Sequence, residues 1–130
     1  MSGIGEGRLI LIVEDNERNM KLFCDVLQAS GFRTLEATTG ESAVELAIEH
    51  RPDLVLMDIQ LPDIDGLEAL DRLRADERSS SLPVLALTSQ AMEGDRERFL
   101  AAGFDGYLSK PVDITDFVAT VNRYCRERSR

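Results

Sequence analysis

Four apolar residues, Leu54, Val55, Leu56 and Met57, run unbroken into Asp58, and Pro62 and Gly66 interrupt the chain before a helical pattern begins. So short an apolar run, closed by turn residues, suits a strand buried on both faces of a parallel sheet, because such strands do not alternate inward and outward side chains. Asp58 then stands at the carboxyl end of the strand, the edge at which open α/β sheets bind their ligands. An acid in that place can equally do no more than cap a helix or shape a turn. The rest of the chain has to decide.

Similar runs recur. Arg8 to Val13 ends in Glu14-Asp15-Asn16, Pro83 to Leu87 ends in Thr88-Ser89, and Phe104 to Ser109 ends in Lys110-Pro111. Arg33 to Ala37 is shorter and more polar, as an edge strand is. Between these runs the period changes to that of helices. Met20, Phe23, Cys24 and Leu27 are spaced i, i+3, i+4, i+7 ahead of Gly31. Ala43, Val44, Ala47 and Ile48 follow a start at Thr38 to Glu41 and precede Pro52; Leu67, Leu70 and Leu73 follow Gly66, and Ala75 to Ser81 is a polar loop. Met92 to Ala102 also reads as a helix, but its middle is Glu-Gly-Asp-Arg-Glu-Arg, so its apolar face is thin and it should be the least firmly packed. The last helix, Asp113 to about Glu127, places Ile114, Phe117, Val118, Val121, Tyr124 and Cys125 on one face. Strand then helix, five times over, predicts an α/β fold: a doubly wound parallel sheet of five strands with helices on both faces.

Charge and cysteine content narrow the function. A net charge of −9 argues against direct nucleic-acid binding, which needs cations against phosphates. The chain has neither a membrane-length apolar window nor the start of a secretory signal, so a cytoplasmic protein is expected. Gly3, Gly5 and Gly7 suggest a flexible tail over 1–7, ahead of one domain over 8–126 and a short tail over 127–130. Cys24 and Cys125 fall on apolar helix positions and read as buried reduced thiols. His50, the single histidine, reads as a structural residue at a helix end, and hydrolase triads find no support.

The strand ends carry the chemistry. Glu14 and Asp15 follow the first strand, Asp58 ends the third, Thr88 the fourth, and Lys110 follows the fifth. In a parallel sheet these ends share one edge. Three carboxylates brought together repel and call for a cation; hard oxygens of this kind suit Mg²⁺. Lys110 and Thr88 offer a charge and a hydroxyl to a phosphoryl oxygen, and Asp58 is the natural nucleophile, giving an acyl phosphate. There is no glycine-rich nucleotide loop, so the donor is not expected to be free ATP.

The motifs Val-Glu-Asp-Asn (13–16), Leu-Met-Asp-Ile-Gln-Leu-Pro (56–62), Gly66, Leu-Thr-Ser (87–89) and Leu-Ser-Lys-Pro (108–111) together resemble the receiver domain of bacterial two-component response regulators, over about residues 8–126. The resemblance implies the flavodoxin-like strand order 2-1-3-4-5. It also implies Asp58 as phosphoacceptor, with Mg²⁺ held by Glu14, Asp15, Asp58 and the main-chain carbonyl of Gln60. Thr88 and Lys110 would meet the phosphoryl group, and the Lys110–Pro111 bond would be cis. Thr88 and Tyr107 would form a switch that alters the surface of the fourth helix, fifth strand and fifth helix. Such a protein is a signalling receiver rather than an enzyme, although it assists its own phosphorylation and dephosphorylation. Its phosphodonor would be a histidine kinase or a histidine phosphotransfer protein, its output a downstream protein, and its state a monomer or a weak phosphorylation-dependent dimer. Ser89 stands where the family most often has alanine, and Gln60 stands where members vary.

Residues 16–23 and 90–95 further resemble stand-alone, single-domain regulators of the DivK type. Met1 and the closing Arg-Ser-Arg fit that reading. The alternatives are a receiver excised from a hybrid histidine kinase or other multidomain enzyme, and a pseudo-receiver that binds partners without phosphate.

Overall fold

The unbroken apolar runs become the central strands. A computed structural model describes residues 5–89 and 95–128, in the order β1 (Leu9–Val13), α1 (Glu17–Ala29), β2 (Arg33–Ala37), α2 (Gly40–His50), β3 (Leu54–Asp58), α3 (Gly66–Ala75), β4 (Val84–Thr88), α4 (Asp95–Ala102), β5 (Gly106–Ser109) and α5 (Ile114–Arg128). All strand pairs are parallel and the order is β2-β1-β3-β4-β5, so β2 is an edge strand as its polarity suggested. The register aligns Val13 with Met57, Asp58 with Leu87 and Thr88 with Ser109. The carboxyl ends of β1, β3, β4 and β5 therefore lie level along one edge.

The pleat divides each central strand between two cores. Ile10, Ile12, Leu54 and Leu56 face α1 and α5, where the Phe23 and Phe117 rings lie 5.1 Å apart. Leu11, Val13, Val55 and Met57 face the other way, toward Ala43, Ala47, Leu70, Leu73 and Phe99. Each of three helices opens on a side-chain cap: Asn16 accepts from the Asn19 N–H, Thr39 from Ser42 and Asp65 from Glu68.

Three details differ from the sequence reading. Gly5 and Gly7, placed in a loose tail, are tied down: their N–H groups donate to Ser30 O (2.7 Å) and Gly31 O (2.8 Å) at the α1–β2 turn. A side chain at Gly5 would meet the Phe32 backbone, so glycine is what permits this approach. Residues 1–4 and 129–130, and the expected helical start at Met92, lie outside the described residues. The fifth strand is shorter than expected, because Gly103, at φ 114°, turns the chain and the Phe104 N–H folds back onto Phe99 O. Ile114 is half exposed: it occupies the first turn of α5, and the buried face begins at Phe117.

On the amino side of the sheet, Arg74 joins four segments. Its guanidinium donates to Ser80 O (3.1 Å), Leu82 O (2.6 Å), Gly103 O (2.9 Å) and Asp105 Oδ2 (3.1 Å). Asp105 Oδ2 also accepts the Val84 N–H at the start of β4. Arg74→Met keeps the aliphatic stem but leaves these acceptors without their donor. It should lower the free energy of urea unfolding by about 2 kcal/mol, within the range of hydrogen bonds to charged groups.

Candidate functional site

Backbone continuity places each group at the carboxyl edge. The Glu14 N–H extends the β1–β2 ladder to Ala37 O (3.0 Å), and the Lys110 N–H extends β5 to Thr88 O (2.7 Å). Lys110–Pro111 is cis, as the resemblance implied. From this base the Lys110 ammonium reaches back across the edge and lies 2.7 Å from both Glu14 Oε1 and Asp58 Oδ2. Glu14, Asp58 and Thr88 are buried and Asp15 is exposed. Among the described residues the other buried polar side chain is Ser79, which donates to Leu73 O at the end of α3. Burial of polar groups is thus concentrated at this one place.

The two carboxylates are held differently. Asp58 Oδ1 accepts the Gln60 N–H (2.8 Å), and Oδ2 takes the Lys110 hydrogen bond. Glu14 Oε2 accepts the Asn16 N–H (3.1 Å). Glu14 Oε1 is fully buried and no donor is aligned to it; the nearby ammonium answers it as an ion pair only. Burial pushes the Glu14 carboxyl above its ordinary pKa and the Asp58 charge adds to the push, while Lys110 and the Asn16 N–H offset part of it. For Lys110, burial alone would lower the pKa, but Asp58 and Glu14 outweigh it and the ammonium is raised.

Carboxylate oxygens of Glu14, Asp15 and Asp58 all lie within 4.8 Å of one another. This hard-oxygen set, with one buried oxygen lacking an aligned donor, fits Mg²⁺. Gly66 keeps the loop after Asp58 tight: a Cβ there would sit 2.6 Å from Asp58 O. Tyr107 is half buried, its ring centroid 5.9 Å from that of Phe99 on α4, so it joins β5 to that helix. Phe99 is the buried anchor of α4, while the next residue, Leu100, is exposed.

The remaining candidates are structural. Cys24 and Cys125 are buried thiols outside any disulfide; burial raises both, Cys125 to about 12, which keeps them protonated. His50 is the last residue of α2, 3.9 Å from Glu49. The sequence reading passed over Asp63, whose carboxylate accepts the N–H groups of Gly40 and Glu41 at the start of α2. A contact between residues so distant in sequence leaves no local signal.

The family profile of the response regulator receiver domain matches residues 10–122. The polar-differentiation response regulators DivK of Brucella anthropi and Brucella ovis are each 49% identical over 115 residues, 88% of this chain and 94% of theirs. Among solved structures, the receiver domain of a sensor histidine kinase from Pseudomonas aeruginosa, with a magnesium ion coordinated in its active site cleft, is 38% identical. It has a TM-score of 0.85, covering 92% of this chain and 98% of that one. A response regulator structure from Chloroflexus aurantiacus is 29% identical with a TM-score of 0.86, over 92% and 98% of the two chains.

The raised Glu14 pKa fixes the sign of a stability effect. A carboxyl that holds its proton more tightly when folded costs nothing below its unfolded pKa; the penalty builds as pH rises above that value and is complete above the folded one. Glu14→Gln should therefore unfold at higher urea than the wild type at pH 7 without divalent cations. The gap should close as pH falls below about 4.5, the ordinary value for glutamate. Urea titrations at several pH values would check both the sign and the window.

Proposed function

The chain belongs to the response regulator receiver family of two-component signalling, and we propose that it takes a phosphoryl group from a phosphohistidine donor onto Asp58. The observation that carries this reading is the Lys110 ammonium held 2.7 Å from both Glu14 and Asp58, with Thr88 buried at the adjoining strand end. An Asp58 carboxylate oxygen forms the new bond to phosphorus as the bond from phosphorus to the donor's imidazole nitrogen breaks; the imidazole leaves with the electron pair and takes up a proton. Lys110 turns toward the phosphoryl oxygens, and the Thr88 hydroxyl donates to one of them. Glu14, Asp15, Asp58 and the main-chain carbonyl of Gln60 would hold Mg²⁺, which when bound supplies positive charge against the phosphoryl group. Positioning and electrostatics carry the rate, since the aspartate itself is the nucleophile.

The output follows from Thr88. Its movement toward the phosphoryl group opens space that the half-buried Tyr107 ring can enter, and this reorients the α4–β5–α5 surface for a downstream protein. The thin packing of α4, anchored on Phe99 with Leu100 exposed, supports a mobile element there. The donor is a histidine kinase or histidine phosphotransfer protein. The DivK relatives, aligned over nearly their whole length, support a regulator that acts through protein contacts. A receiver that is part of a sensor kinase is the second reading, favoured by the Pseudomonas aeruginosa structure. The acidic charge of −9 fits a protein partner better than nucleic acid. No helix among the described residues is long and apolar enough to cross a membrane.

Incubation with acetyl phosphate and Mg²⁺ should add one phosphoryl group to the wild type, by intact mass. Asp58→Asn, or chelation of the metal, should abolish the gain, and Lys110→Ala should slow it about a hundredfold, as for removal of one group that stabilises developing charge. An unphosphorylated wild type that still binds its partners would identify a phosphate-independent module instead.

A further inference from the structure

Gln60 lies in the loop between β3 and α3, and what fixes that loop fixes the fourth proposed metal ligand. At its base the loop is closed by the Gln60 N–H on Asp58 Oδ1 (2.8 Å), and by the Gly66 N–H on Ile59 O (2.8 Å). Its outer turn is held from elsewhere. Asp63 Oδ1 accepts the Gly40 N–H (2.8 Å) and Oδ2 the Glu41 N–H (3.0 Å), one carboxylate gripping two donors in the first turn of α2. Beside it Ile64 packs directly over Gly40, where a Cβ would overlap the Ile64 side chain.

This grip is not needed to start the helix. α2 has its own cap, Thr39 Oγ1 accepting the Ser42 N–H at 3.1 Å. Asp63 uses further donors that every helix start leaves unpaired, at the end where the helix dipole favours a negative charge. The carboxyl is held at about 2, well below the ordinary range, chiefly by the Glu41 and Gly40 N–H groups, so it is ionised under all physiological conditions. The mechanical consequence therefore falls on the loop, whose segment from Gln60 to Pro62 is strung between the Ile59–Gly66 closure and the α2 helix.

We infer that Asp63 is a positioning residue for Mg²⁺: by clamping the loop to the first turn of α2 it holds the Gln60 main chain where it can complete the carboxylate site of Glu14, Asp15 and Asp58. The inference rests on the metal reading above. Asp63 touches neither metal nor phosphoryl group; it acts through the loop, as outer-shell groups act on metal ligands elsewhere.

The test is a Mg²⁺ titration of the unphosphorylated protein followed by backbone amide NMR shifts, which report affinity and folding together. Asp63→Ala should weaken Mg²⁺ binding about tenfold, the lower end of what outer-shell changes cost. Asp63→Asn keeps one acceptor oxygen and should lose about threefold; it decides the matter if the alanine variant does not fold. Arg74→Met, destabilised at the opposite end of the sheet, should bind as the wild type does. Wild-type affinity in any folded Asp63 variant overturns the inference, and so does an equal loss in Arg74→Met, which would make the effect one of general stability. A wild type that binds no Mg²⁺ overturns the metal reading itself and this inference with it.

Discussion

One ammonium group shared by two buried carboxylates governs this molecule. Lys110 follows the fifth strand, Glu14 the first, and Asp58 ends the third, yet Nζ lies 2.7 Å from an oxygen of each. Charges taken out of water are tolerated only when paired. Here the pairing is incomplete, because two buried acids and the exposed Asp15 outnumber one cation. The balance favours an arriving positive charge, and the upward push on Glu14 is the residue-level sign of that imbalance. A fold selected for stability alone would replace such a cluster with apolar side chains.

The sheet makes this arrangement possible and also limits it. Parallel pairing brings the strand ends level at one edge, while the two apolar cores on either face hold the strands rigid beneath them. The opposite edge is fastened by Arg74, which ties the α3–β4 loop to the end of α4 and the start of β5. α4 is thus secured at its carboxyl end and by Phe99, with Tyr107 against that ring. Among the described residues α4 contributes one buried apolar side chain, Phe99, which leaves it lightly anchored.

Much of this was legible in the residues. Unbroken runs such as Leu54 to Met57 can only be satisfied when both faces are covered, and this pointed to the strand type, the sheet type and the edge at which Asp58 stands. Glu14, Thr88 and Lys110 then fall on the same edge by topology, since the carboxyl ends of parallel strands lie level, and Lys110 reaches Glu14 and Asp58 there. What the sequence concealed was contact between polar groups far apart in the chain. Nothing near Arg74 or Asp63 announces that one will bind carbonyls near Ser80 and Gly103, or the other the start of α2. Periodicity also overreached at the ends of elements: Ile114 continues the apolar stripe of α5 but lies beyond the surface it packs on. Gly5 and Gly7 read as loose because glycine permits both disorder and close approach, and only the α1–β2 turn selects the second.

The most direct test of the account is a crystal structure of the protein grown with Mg²⁺ and beryllium fluoride, which mimics a phosphoryl group on a carboxylate. The account predicts beryllium on an Asp58 oxygen, with Mg²⁺ held by the Glu14–Asp15–Asp58 carboxylates and the Gln60 carbonyl. Lys110 should have left Glu14 for a fluorine, and the Thr88 hydroxyl should point at another. Beryllium fluoride absent from Asp58 at saturating concentration, or Lys110 still bridging Glu14 and Asp58 with the metal elsewhere, would contradict it.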